Sequence, residues 1–340
     1  MKENKERILL YLMQLIDRND ADYAKKTVAA FSVSSSTVYN YVNELLRKGE
    51  LVREPKRECG LLLPSDNHTF LYSTEKPLSE DRIFGSDISP LLAALPKNVY
   101  QIWSYCFTEM MNNAIEHSEA KIILCKVETN RLQTKIAIID DGIGIFRNIR
   151  NYLLKTTGED VPEGECAGYL LAGRFTTAKE HHSGEGIFFT SHLLDRFSIH
   201  SSGIVFKRDD FSDVQQDFPS EEAGGTGVFM ALSNQSPKTA EEVFNRFANA
   251  ENGFYKTEIP MAHLFPSGYP VSRSEARRLY GMIGKFKEVT LDFSNIDMIG
   301  QAFAHELFIV LAQKTQGQTI VLKNLPERVA AMILRVKNTD

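Results

Sequence analysis

The sequence predicts a multidomain α/β protein, and three observations carry that expectation. Its 340 residues exceed what one core ordinarily holds, which points to two or three domains. Residues 1–65 repeat apolar positions at helical spacing and close with a hairpin pattern, whereas residues 250–340 alternate strand-like and helix-like runs. Between them, residues 86–240 mix helices with strand pairs, after a Pro-, Ser- and Asp-containing stretch at 66–85 that reads as a linker.

Composition narrows the function classes. The hydrophobic share is 43% and no low-complexity tract occurs, so wholesale disorder is not expected. A formal net charge of -5 gives no general attraction to nucleic acid, so any DNA-binding surface must be local. Cys59, Cys106, Cys125 and Cys166 show no CxxC spacing, which favours reduced, buried thiols over a zinc site or a disulfide framework. The N-terminal MKENKERILLYLMQLIDRND lacks the continuous apolar stretch of a signal peptide, and no apolar run is long enough to span a bilayer. A cytoplasmic location without membrane contact is therefore expected.

In the first segment, Ile8, Leu9, Leu12, Met13, Leu15 and Ile16 recur at spacings of three and four over Lys5 to Arg18, which predicts an amphipathic helix. A second helix fits Ala21 to Phe31. The stretch SVSSSTVYNYVNELLRKG predicts a serine-capped third helix ending at Gly49, with Val38, Tyr41, Val42, Leu45 and Leu46 inward. Ser35, Ser36, Thr37, Tyr39, Asn40 and Asn43 then form its polar side. LVREPKRECGLLL reads as a hairpin with a basic tip. This order resembles the winged helix-turn-helix family, in which the third helix enters the major groove and the hairpin touches the backbone. The resemblance implies base and phosphate contacts from those six residues, and phosphate contacts from Arg53, Lys56 and Arg57. A dimerisation or protein-docking module with the serines acting only as caps is the alternative.

The middle segment opens with FTEMMNNAIEHS, in which Glu109 and Asn113 stand one helical turn apart and project the same way. KIILCKVET and KIAIIDDGIGIF follow as two strands of a hairpin, the second ending in Asp140-Asp141-Gly142-Ile143-Gly144. Downstream come GRFTTAKEHHSGEGIFFTSHLL, a loop leading into an apolar helix, and GGTGVFMAL, a glycine turn into a strand. Singly, each motif also fits an ordinary turn or cap. The ordered set ExxxN, DxGxG, GxG before a helix and GTG before a strand resembles the ATP-binding GHKL (Bergerat) α/β sandwich of type II topoisomerases, histidine kinases and anti-sigma serine kinases.

That resemblance implies ATP and Mg²⁺ as cofactors. Asn113 would place its amide oxygen in the octahedral Mg²⁺ shell. Glu109 would orient or deprotonate the group attacking the γ-phosphate. Asp140 would accept from the adenine amino group, with Gly142 and Gly144 letting backbone approach the base. Gly184, Glu185, Gly186 and Ile187 would meet phosphates at a helix N-terminus. Thr226 would close the adenine end. Arg174 to Ser183, including Thr176 and Thr177, would be a lid over the phosphates. His117, His181 and His182 form no tight ligand set and are expected to play surface or hydrogen-bonding roles.

In the last segment, KTEIPMAHLF, VTLDF and TIVLKN read as strands, and SEARRLYGMIGKF, QAFAHELFIVLAQ and PERVAAMILRVK as helices. The piece LDFSNIDMIGQAFAHEL resembles STAS domains of anti-sigma antagonists, and more closely a STAS-like family found behind GHKL domains. Where the antagonists hold a phosphorylated serine, this chain has Gly300-Gln301-Ala302, so phosphorylation there is not expected. A docking or relay role is expected, with a structural cap as the alternative.

Together these readings predict a slowly hydrolysing ATP-dependent regulator of transcription. Its winged helix would bind DNA, and its STAS-like domain would pass the nucleotide state to a protein partner or a second protomer of a homodimer. The competing expectation is an anti-sigma-type serine/threonine kinase acting on a separate STAS partner.

Overall fold

A computed structural model describes residues 2–173, 184–207, 224–265, 267–314 and 317–338. It is a mixed α/β protein with several sheets. The chain begins with α1 (Lys2–Asp17), α2 (Tyr23–Phe31) and α3 (Ser35–Arg47), followed by the antiparallel pair β1 (Val52–Arg53) and β2 (Leu61–Leu62). Ser34 starts α3 as its sequence predicts, its hydroxyl accepting the Thr37 N–H at 3.1 Å. Leu12, Met13, Ile16, Val38, Val42, Leu45, Leu51 and Leu61 bury a common core.

Arg57, expected as a phosphate contact, makes an intramolecular one. Its Nη2 donates to the carbonyls of Ile16 at 2.6 Å and Asp17 at 2.9 Å at the end of α1, where Ile16 O also accepts the Asn19 N–H at 2.9 Å. The guanidinium is thus a tie between the hairpin tip and α1.

The stretch 66–85, expected as a linker, carries regular structure instead. β3 (Asp66–Ser73) pairs along its whole length with β4. The chain then returns through α4 (Glu80–Ile83), a π-helical turn (Phe84–Ile88) and α5 (Ser89–Leu92), burying Ile83, Phe84, Ile88 and Leu92. Alternating His68, Phe70 and Tyr72 on the half-buried side explains the strand, because a period of two matches one covered face.

Next come α6 (Lys97–His117), β4 (Ile122–Thr129), β5 (Gln133–Asp140), α7 (Ile145–Thr157), α8 (Glu163–Ala172), α9 (Gly186–Leu193), β6 (Arg196–Ser201), β7 (Ile204–Lys207) and β8 (Thr226–Ser233). Among the described residues the sheet has six strands in the order β3-β4-β5-β8-β6-β7, every neighbouring pair antiparallel. Val99, Ile102, Trp103, Cys106, Phe107, Met110 and Ala114 recur at three and four along α6 and are buried in the core that this helix shares with the sheet. The tip of the β4–β5 hairpin reaches back to the first unit: Leu132 joins its core, and Arg131 pairs with Glu6 at 2.6 Å.

After α10 (Ala240–Phe247) and the small hairpin β9 (Ala248–Asn249) and β10 (Gly253–Phe254), the last segment forms β11 (Lys256–Pro260), α11 (Met261–Leu264), α12 (Arg273–Ile283), β12 (Glu288–Asp292), α13 (Gln301–His305), β13 (Thr319–Lys323) and α14 (Glu327–Lys337). β11, β12 and β13 are parallel, and the helices between them supply the crossovers that parallel neighbours need. The Thr257 hydroxyl, fully buried, donates to Ala172 O at 2.9 Å, and Arg278 pairs with Glu165 at 2.8 Å, so this unit is fastened to α8. All four cysteines are free and buried, in line with the sequence. No helix among the described residues is long and apolar enough to cross a membrane.

Candidate functional site

A cleft of about 320 Å³ opens where α6, the end of β5, the start of β8 and the first turn of α9 converge. Helical geometry places Glu109, Asn113 and His117 on successive turns of α6, and all three line this cleft. Glu109 lies against α9: a Cβ added at Gly186 would fall 2.0 Å from its Oε2. Gly186 is therefore the residue that lets the carboxylate and the helix start approach. The first intrahelical bond at this end runs from Phe189 N–H to Glu185 O at 3.0 Å. The amides of Gly186, Ile187 and Phe188 precede it and have no carbonyl to meet within the helix.

Asp140 forms the opposite wall. It is 7% exposed, and its Oδ1 accepts the N–H groups of Gly142 at 2.9 Å and Thr226 at 3.2 Å. Burial pushes its carboxyl up to about 6, against the lowering pull of those two amides. Oδ2 accepts no hydrogen bond from the described residues, so this fixed, half-satisfied carboxylate offers one acceptor to a ligand. Asp141 faces away, accepting Lys121 N–H at 2.8 Å and Ile122 N–H at 2.9 Å.

The glycines shape the turn around Asp140. A Cβ on Gly142 would sit 2.0 Å from Ser118 O, and the Ile143 N–H donates to that same carbonyl at 2.8 Å. Gly144, at φ 85, adopts a conformation that favours glycine and begins α7. The Thr226 hydroxyl accepts the Ile145 N–H at 2.9 Å, so Thr226 holds the start of α7 while its own amide holds Asp140.

Of the residues singled out in the sequence, Glu109, Asn113, Asp140, Gly184, Glu185, Gly186, Ile187 and Thr226 come together around one cleft. Gly142 and Gly144 are outside its lining and act through the turn. Thr176, Thr177 and the rest of the expected lid lie outside the described residues. Asn148 was missed; its Nδ2 donates to His117 O at 3.0 Å, tying α7 to the end of α6 across the cleft mouth. The helical phase of IFRNIRNYLL places Asn148 beside Ile145, a signal that could have found it. No cluster of three or more His, Cys, Asp or Glu suited to a metal occurs among the described residues. A cation here would have to borrow ligands from a bound anion and water.

At the other end of the molecule Ser35, Ser36, Tyr39, Asn40 and Asn43 are exposed on α3, as are Arg53 and Lys56 on the hairpin. Thr37 is half-buried, its hydroxyl 2.9 Å from Ser34 Oγ. The seam with the β4–β5 tip uses Glu6 of α1 and leaves this polar side open.

Residues 275–330 match the STAS-like domain of unknown function (DUF4325). These residues run from α12 through β13 to the start of α14, and Gly300 sits at the N-terminus of α13 within them. A Cβ at Gly300 would lie 2.7 Å from Val271 Cα, a packing reason for glycine at this helix start. The chain is also similar to a protein of Methanocaldococcus jannaschii described as sulfopyruvate decarboxylase subunit alpha. The two are 29% identical over 164 residues, covering 46% of this chain and 91% of that relative.

Proposed function

We propose that the cleft binds Mg·ATP in the manner of the GHKL superfamily, and that the first unit is a DNA-binding winged helix whose occupancy responds to nucleotide. The observation that carries the reading is the convergence of Asp140, Asn113, Glu109 and the α9 N-terminus on one cleft from four separate stretches of sequence. Asp140 suits adenine because its ionised Oδ2 is an acceptor aimed at a cleft with Ile138, Ile145, Ile149 and Val228 for the apolar faces of a base. Asn113 and the unbonded amides of α9 suit the phosphates, the amide oxygen through a magnesium ion and the N–H groups directly.

Electrostatics supports the metal. Glu109, Asp140 and Glu185 line the cleft, and its described lining holds no Lys or Arg. A bare triphosphate would be repelled, whereas Mg²⁺ offsets both sets of charges. Glu109, beside the phosphate end, is the group to polarise an attacking water or hydroxyl. The STAS-like unit contacts both flanks of the expected lid. Thr257 is bonded to Ala172, and Phe188 and Phe189 share a core with Phe254 and Phe286. A change in the position of α9 would therefore be felt by that unit and by any protein partner it docks.

Thermal unfolding with nucleotide present tests the reading. Ligand that binds only the native state raises the midpoint by mass action. Mg·ATP is expected to raise it, Mg·GTP and magnesium-free ATP to leave it unchanged. Equal shifts with all three would overturn the assignment of adenine to Asp140.

A further inference from the structure

The described six-stranded sheet has β3 and β7 as its outer strands. β3 is 8 residues long, contains no proline, lysine or arginine and carries a carboxylate only at Asp66 on its end. Leu71 is 67% exposed, the most exposed of the large apolar residues described. Ile122 on the neighbouring strand, opposite Ser73, is 43% exposed.

The direction of the free backbone groups follows from one hydrogen bond. The Thr74 N–H donates to Lys121 O at 3.0 Å, toward β4. Successive residues of an antiparallel strand point their N–H and C=O to alternate sides. His68, Phe70 and Tyr72 therefore bond β4, and Asn67, Thr69, Leu71 and Ser73 aim theirs outward, where no backbone group among the described residues meets them.

We infer that β3 pairs antiparallel with β3 of a second copy of this chain, joining two sheets into one across a two-fold axis at Phe70. The register is self-determined. With Phe70 opposite Phe70 of the second copy, Thr69 meets Leu71 and Asn67 meets Ser73, so every outward N–H and C=O finds a partner in about eight inter-chain bonds. Shifting the axis by one residue leaves one of these outward pairs without a strand partner. Side chains match on both faces: Phe70 and the His68–Tyr72 pairs continue an aromatic row already stacked at 6.5 and 6.4 Å within each strand, and Leu71 covers Thr69 on the outer face. This association is independent of nucleotide and of the DNA reading.

Sedimentation of the full chain without nucleotide is the test, with two variants. Thr69→Pro deletes an outward N–H and spares the bonds to β4; Leu71→Lys places a charge on the exposed edge. The wild type is expected to sediment as a dimer and both variants as folded monomers, with Mg·ATP affinity unchanged. A wild-type monomer throughout the micromolar range, or a dimer that survives both substitutions, would overturn the inference. A Thr69→Cys/Leu71→Cys variant checks the register: the four native thiols are buried, so mild oxidation is expected to give a covalent dimer. Failure to crosslink while dimeric would refute pairing centred on Phe70.

Discussion

Replacing Asp140 with asparagine should make the protein more stable and less able to bind nucleotide. Burial moves this carboxyl from 3.8 to about 6, so the ionised form is disfavoured in the fold relative to the unfolded chain. At about 1.4 kcal/mol per pH unit, the fold carries a cost of about 3 kcal/mol above pH 6. The sign is that of a raised pKa: below pH 3.8 both states are protonated and there is no cost, and the cost grows until the pH passes about 6. Asparagine keeps an oxygen for the Gly142 and Thr226 amides and removes the charge. A gain of about 1 to 3 kcal/mol at pH 7.5 remains after the amide's own desolvation. The new NH₂ would face the adenine amino group, donor against donor, and affinity should fall at least about tenfold. Urea unfolding from pH 4 to pH 8 alongside nucleotide titration measures both. A variant less stable than wild type at pH 7.5, or a stability difference that does not change with pH, would refute the reasoning. Wild-type affinity should likewise weaken as the pH drops below about 6.

Other residues separate the remaining roles. Glu109→Gln should leave Mg·ATP affinity within about threefold while lowering turnover by about a hundredfold or more, since it keeps the shape and loses the base. Label from γ-labelled ATP appearing on protein rather than phosphate in the wild type would favour the kinase alternative. Arg53→Ala or Lys56→Ala should reduce the salt dependence of DNA binding by about one phosphate contact each. Arg57→Ala should leave that slope alone and instead cost about 1 to 3 kcal/mol of stability, because the Asp17 carbonyl loses its donor and Ile16 O keeps only the Asn19 N–H. Gly142→Ala, whose Cβ would collide with the Ser118 backbone, should cost about 3 kcal/mol and lower nucleotide affinity by displacing the turn beneath Asp140.

Much of the site was legible because its parts are local. The Glu109–Asn113 spacing needs only a helix, and the Gly142–Gly144 turn needs only a strand end. β3 was hidden by its flanks, since Pro64-Ser65-Asp66-Asn67 reads as a loop and masks the alternation of His68, Phe70 and Tyr72 behind it. The tie between Arg57 and α1 was hidden because its acceptors lie far back in the chain, and a basic hairpin tip looks the same whether it meets phosphate or a helix end. Leu132 presents the same difficulty: a turn residue between two strands gave no hint that it enters the core of the first unit. The fit of Glu109 over Gly186 joins segments far apart in sequence, and only the packing of α6 against α9 reveals it.

The most direct test of the central claim is calorimetric titration of ATP into the wild type and Asn113→Ala, each with and without magnesium. One nucleotide per chain is expected for the wild type, with an affinity that depends on magnesium. Asn113→Ala, which removes a side-chain amide from the cleft lining, should abolish that dependence. Equal, magnesium-insensitive binding in both proteins, or no binding by the wild type, would contradict an Mg·ATP site in this cleft.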